Sequence, residues 1–274
     1  MKKLKKRMNK AMFFTILALA WPTMLEQLMQ TVVQYIDTAM VGSLGTQATA
    51  AVGATSTVNW LIGSTISAIS VGFLSYIARA FGAKDKEVAK CAAAQAVLVV
   101  VIVGALVTII TLSLSGMIPI WMQVDESIQA MASQYFFIIY MPMLFRTASI
   151  IFGTLLRAAG DTKTPMKIGV LVNLTNVVLN FLLIYQTREL SILGITFIMP
   201  GAGLGVIGAA IASAIAFTVG GICITIVLWR HPLVSPRGKS FRPDMKILKP
   251  CLTVAFPMFR FFLSALPFSP FSLA

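Results

Sequence analysis

Glu26, Gln30, Gln34 and Asp37 recur at spacings of four, four and three within the first long apolar stretch of the chain. At about 100° per residue such spacings confine the four side chains to one narrow stripe of a helix. A carboxylate in hydrocarbon costs roughly 2.5 to 3.5 kcal/mol on insertion scales, so two of them on one span face a bundle interior or a water-filled cavity. The chemistry open to them there is uptake of a proton or a cation, or a salt bridge that only holds helices together. Asn173, Asn176 and Asn180 repeat the pattern at spacings of three and four in a later apolar stretch. Their amides serve either as interhelical glue or as oxygen ligands for a hard cation. Arg146 lies inside the fourth apolar stretch. Along ideal helices it falls about 15 Å from the basic end of its span and Glu26 about 21 Å along its own, so the two are expected to pair. That pairing leaves Asp37 as the freer ionisable group.

These residues are carried by six apolar stretches, Met12 to Ile36, Ala48 to Tyr76, Ala92 to Ile118, Ile128 to Leu156, Met166 to Tyr185 and Leu204 to Trp229. Each reaches or exceeds the roughly 20 residues that cross a bilayer core, and each therefore reads as a transmembrane helix. Basic residues gather in the amino-terminal tail (Lys2 to Lys10) and in the segments Arg79–Lys90, Arg157–Lys167 and Arg230–Lys249, leaving only Arg146, Arg188 and Arg260 elsewhere. The positive-inside rule puts the amino terminus and all even-numbered connections in the cytoplasm, which implies a multi-pass protein of the inner or plasma membrane. The domain plan is a basic tail over 1–11, a six-helix lobe over 12–229, a basic loop over 230–249 and the beginning of a seventh helix over 250–274.

Composition excludes several other classes. At 58% hydrophobic and 11% charged residues, the chain lacks the polar surface of a water-soluble globule. Its net charge of +13 is spread over four short segments, which suits anionic lipid and not nucleic acid. Cys91, Cys223 and Cys251 are too few and too scattered for a disulfide framework or a metal cage. Gly203, Gly205 and Gly208 satisfy a dinucleotide-binding pattern in letters only. No strand is expected before them, and with Ala209, Ala212 and Ala216 they better explain close helix packing. Asn173-Leu174-Thr175 matches a glycosylation sequon inside a span, where glycosyl transfer cannot reach. No phosphate-binding loop or zinc motif occurs, and the single histidine, His231, stands beside Pro232 at a span end. The chain is expected to be a carrier without covalent catalysis or cofactor, its only small-ion requirement being the coupling ion.

Particular segments carry a family resemblance. Pro22, Glu26 and Gln27, followed by Asp37-Thr38-Ala39-Met40-Val41-Gly42-Ser43-Leu44-Gly45, resemble the opening of multidrug and toxic compound extrusion (MATE) transporters. Phe81-Gly82-Ala83-Lys84-Asp85, then Leu156-Arg157-Ala158-Ala159-Gly160-Asp161-Thr162-Lys163-Thr164-Pro165-Met166, then Gly208-Ala209-Ala210-Ile211-Ala212-Ser213 follow in the family's order. The resemblance runs from about Met12 to Pro257. It implies an all-α membrane fold in which this chain supplies one six-helix lobe of a twelve-helix transporter, plus an incomplete seventh helix interrupted by Arg260, Pro267 and Pro270. It also implies a proton or Na+ site at Asp37, Asn176, Asn180 and Ser213, in which Asn180 stands where many members have a carboxylate. Glu26, Gln30, Gln34 and Arg146 are then expected to line the cavity. The function implied is export of small organic cations in exchange for H+ or Na+, with a second lobe missing, so that the chain is expected to be a truncated and inactive fragment. The alternatives are a lipid or oligosaccharide flippase of the same superfamily and a non-transporting membrane fragment.

Overall fold

The computed structural model describes residues 10–192 and 195–264. The tail from Lys2 to Arg7 and the prolines Pro267 and Pro270 lie outside the described residues. The chain folds into helices α1 (Lys10–Gly42), α2 (Thr46–Gly82), α3 (Lys86–Ser113), α4 (Ile118–Trp121), α5 (Glu126–Tyr140), α6 (Met143–Ala158) and α7 (Lys163–Leu183). Strands β1 (Gln186–Ile192) and β2 (Ile195–Ala202) follow, then α8 (Gly205–Arg230) and α9 (Met245–Ser264). Helices α2, α3, α7 and α8 are each long and apolar enough to cross a bilayer, and α5 with α6 makes a fifth crossing bent by 49°. Helix α1 runs 33 residues through Pro22. The protein is thus an all-α integral membrane lobe.

Three features depart from the sequence reading. The fourth span is two helices, broken at Met141 and Pro142. Proline lacks the N–H that would bond one turn back, and its ring crowds the preceding carbonyl. The connection after the fifth span carries an antiparallel hairpin, with Arg188 opposite Met199 and Ile192 opposite Ile195, and an irregularity between Gln186 and Arg188. Its β-branched residues Thr187, Ile192, Ile195, Thr196 and Ile198 favour a pleated backbone. The seventh helix begins at Met245, earlier than expected, and runs through Pro257 and Arg260 to Ser264, so Arg260 does not interrupt it.

The hairpin closes one end of the bundle, and the basic segments lie at the other. Between the ends the core draws on α2, α5, α6 and α8, with Phe73, Phe136, Tyr140, Met143, Ile151 and Leu228 almost fully buried. Small residues on α8 permit this: a Cβ on Gly221 would stand 2.5 Å from the Phe145 carbonyl on α6, and one on Gly208 the same distance from the Leu183 carbonyl. These approaches realise the close packing expected of the Gly208 and Ala209 ridge.

At the basic end the segment between α8 and α9 is strapped onto the lobe. Gln95, buried on α3, donates from Nε2 to the Arg242 carbonyl at 2.8 Å. It accepts from the Asp244 N–H at 3.0 Å through Oε1. Asp244 caps α9 by accepting from Lys246 N–H at 2.9 Å. Lys239 pairs with Glu87 at the start of α3, and Lys90 does so at 3.3 Å. The Lys239 hydrogen bond foremost, with Lys90 beside it, holds the Glu87 carboxyl below its ordinary range. Val234 is fully buried, and α9 then lies along α2 with Ile247, Leu248 and Cys251 inside. A side chain on Gly72 of α2 would collide with the Cys251 carbonyl, so only glycine admits α9 this closely.

Candidate cation site

The stripe on α1 divides when the bundle forms. Eleven residues separate Glu26 from Asp37, which is three turns with an offset of about 20°, so both can face α7. Gln30 and Gln34 are rotated further round and are exposed on the surface of the lobe.

Asp37 stands near the hairpin end of α1, beside one face of α7. Asn180 donates from Nδ2 to Asp37 Oδ1 at 2.6 Å. Asn176, one turn before it, satisfies its neighbours with its amide nitrogen turned to Asp37 Oδ1 at 2.9 Å and its oxygen accepting from Ser213 Oγ of α8 at 3.0 Å. The four residues named for the cation site therefore meet in one cluster spanning α1, α7 and α8. Asn176 and Asn180 are both buried, and Asn180 Oδ1 is a buried acceptor without a hydrogen-bond partner. Leaving a buried acceptor unpaired costs about 1 to 3 kcal/mol, so this oxygen has a lone pair free to accept a hydrogen bond or to ligate a cation. A carboxylate, two amide oxygens and a hydroxyl are the hard oxygen ligands that Na+ takes, and the carboxylate alone suffices for H+. Further along α7, Asn173 Nδ2 is buried and unpartnered, as is Ser149 Oγ on α6.

Glu26 does not meet Arg146, the partner expected for it. Its carboxylate is buried against Arg157, whose Nη2 lies 3.0 Å from Oε1 and 3.1 Å from Oε2. The reason is where α1 begins: Phe14, Ala18 and Leu19 already lie beside the loop Gly160–Lys163. Glu26 is therefore only about 12 Å below that loop, within reach of an arginine at the last turn of α6. Gly169 on α7 closes the third side, where a Cβ would stand 3.3 Å from Glu26 Cγ.

Arg146 instead donates from Nη1 to Asn59 Oδ1 of α2 at 2.5 Å, and Tyr140 donates to the same oxygen at 3.3 Å. Its guanidinium carbon is 4.8 Å from the Phe217 ring centroid on α8, within cation–π range. Asn59, Tyr140 and Phe217 were not singled out in the sequence, where an amide on span two and aromatics on spans four and six carry no periodic signal. Buried Tyr135 stands within electrostatic reach of both Asp37 and Arg146. Among the described residues no group of three or more His, Cys, Asp or Glu is placed to hold a metal ion.

Comparison with known proteins gives this geometry its context. The MatE family model matches residues 22–182, more than half of the chain. A "Probable multidrug resistance protein NorM" of Thermotoga maritima is 28% identical over 242 residues, taking in 88% of this chain and 50% of the relative. A "Probable multidrug resistance protein YoeA" of Bacillus subtilis is 28% identical over 244 residues, taking in 85% of this chain and 48% of the relative. Among solved structures, that of MATE in the straight conformation superposes with a TM-score of 0.80 at 28% identity, over 91% of this chain and 53% of the other. The outward-facing conformation of a multidrug resistance MATE family transporter gives 0.80 at 27% identity, over 92% and 55%. The chain thus spans about half the length of the relatives it matches. By the extent of the family match and the agreement of fold, this chain belongs to the MatE family.

Proposed function

We propose that this chain forms the first lobe of a cation-coupled multidrug efflux transporter, with Asp37 taking up the coupling ion. The observation supporting this is the Asp37 cluster, a carboxylate held by two amides with a third oxygen, Asn180 Oδ1, left unpaired beside it. An arriving proton turns the Asp37 carboxylate from acceptor into donor, and rotation of the Asn180 amide presents Oδ1 to it. An arriving Na+ takes the same oxygen as a ligand, with Asn176 and Ser213 completing the set. Either ion neutralises the carboxylate and removes the attraction that holds an organic cation, so substrate and coupling ion exchange at one lobe. The second lobe found in the relatives supplies the opposing wall of the cavity, and anionic lipid surrounds the basic segments. In this reading the basic end faces the cytoplasm of a cell whose plasma membrane the lobe crosses. Cysteines at Ser127 and Thr187 then label from outside intact cells, and one at Ser235 does not.

The test is cation binding by the purified chain in nanodiscs, followed with radioactive 22Na+ and, in weakly buffered solution, by proton release on addition of Na+. Asp37→Asn is expected to abolish whichever signal the unaltered chain gives while leaving its elution as a folded species unchanged. Equal binding by the variant would remove Asp37 from the role.

A further inference from the structure

Two arginines of α6 differ in status. Arg157 has a carboxylate, Glu26, on one nitrogen. Arg146 has none within 4.0 Å among the described residues, and the Asp37 carboxylate is taken up by amides. What Arg146 has is a neutral acceptor, Asn59 Oδ1, steadied by the Tyr140 hydroxyl, and an aromatic plate, Phe217. Only Nη1 is hydrogen-bonded inside the lobe, and neither Nε nor Nη2 is among the buried unpartnered atoms, so both keep some accessible surface. Arg146 lies twelve residues before the end of α6, a depth of about 18 Å. Lipid headgroups do not lie at that depth, and a guanidinium there without an anion is an unpaired charge in the membrane interior. A guanidinium with free nitrogens side by side presents the fork that fits a planar carboxylate in two parallel hydrogen bonds.

We propose that Arg146, fixed by Asn59 and Phe217, is a binding site for the carboxylate of an amphipathic organic substrate. It rests on reading the lobe as the substrate-binding half of an exporter, and it adds to that reading a class of substrate, anionic or zwitterionic, which the Asp37 cluster does not select.

The experiment compares two dyes that share a fluorophore and differ in charge, dansylglycine with a carboxylate and dansylcadaverine with an ammonium group. Binding to the purified chain in phosphatidylcholine nanodiscs is followed by fluorescence anisotropy. Dansylglycine is expected to bind, and Arg146→Gln to weaken it tenfold or more with dansylcadaverine binding unchanged. Arg146→Lys, which keeps the charge but loses the fork and guards against loss of folding, is expected to bind dansylglycine more weakly than the unaltered chain and more tightly than Arg146→Gln. Equal dansylglycine binding by the unaltered chain and Arg146→Gln overturns the proposal. Binding of dansylcadaverine alone overturns it and leaves the exporter reading standing, whereas binding of neither dye counts against both. If nanodiscs containing phosphatidylglycerol suppress dansylglycine binding only when Arg146 is present, the oxyanion recognised is lipid phosphate and the carboxylate assignment is wrong.

Discussion

Removing one partner of the Glu26–Arg157 pair tests the placement of α1 against α6 and α7, and the two removals are expected to differ in size. The Glu26 side chain is 10% exposed and the Arg157 side chain 25%. Stranding a buried charge costs about 3 to 5 kcal/mol. Arg157→Met strands Glu26, the more buried partner, and is expected at that level. Glu26→Gln strands Arg157, whose greater exposure lets water replace part of the interaction, and a loss of about 1.5 to 3 kcal/mol is expected. The double variant leaves neither charge stranded, so its loss should be smaller than the sum by about 2 kcal/mol or more. Because a single nitrogen, Nη2, serves both carboxylate oxygens, Arg157→Lys should be the mildest change. The assay is reversible unfolding in mixed micelles titrated with sodium dodecyl sulfate, with the unaltered chain and its variants in one detergent background. A coupling energy below about 0.5 kcal/mol, or Glu26→Gln proving worse than Arg157→Met, would refute the pairing as the tie between these helices.

Gln95→Leu deprives the Arg242 carbonyl and the Asp244 N–H of their partner at once; with each unpaired group costing about 1 to 3 kcal/mol, trypsin should cut faster at Arg237 and Lys239, and an unchanged rate would argue against the strap. Glu87 is held below its ordinary range by Lys239 and Lys90, so its contribution is present above the ordinary glutamate range and is lost as the pH falls through the lowered value. A spin label at Ser240 should therefore grow more mobile in acid, and Glu87→Gln should make that mobility high and independent of pH. Asn180→Asp adds a second carboxylate beside Asp37, and two negative charges at contact distance should tighten cation binding by about tenfold or more; weaker 22Na+ retention by this variant would place Asn180 outside the site. Gly72→Leu should undock α9 from α2, read as new labelling of Cys251 by a maleimide, whereas an unlabelled Cys251 would show that α9 lies elsewhere.

Part of this architecture was legible before any coordinates. The spacing of Glu26 and Asp37 on one face, and of Asn176 and Asn180 on another, follows from the angle per residue, and the fold brings Asp37, Asn176, Asn180 and Ser213 together. The partner of Glu26 was not legible, because depth depends on where a helix starts relative to its neighbours. A stretch of apolar letters does not show that α1 begins outside the loop at Gly160. The break at Pro142 had its signal in the proline itself, overridden by the apolar letters on both sides. Gln95 was hidden for a related reason. One amide among alanines and valines reads as tolerated polarity in a span, and its meaning comes from Arg242 and Asp244, far away in sequence. Asn59 gains its role in the same manner from Arg146 on another helix.

The strap on Gln95 and Glu87 changes what the connection after α8 is as a mechanical part. A free tether would let the next element swing from His231 onward. Here the backbone is fastened at Arg242 and Asp244, and α9 is seated on α2 as far as Cys251. The first half of the seventh helix therefore travels with this lobe as its arm, and any rotation of what α9 leads to is taken up past Cys251. The chain is suited to bend there. Leu252, Thr253 and Val254 are exposed, Thr253 turns its hydroxyl back to the Lys249 carbonyl at 2.8 Å, and Pro257 lacks the N–H that would bond the Thr253 carbonyl. A bend in this chain then falls inside a helix, not in the loop that precedes it.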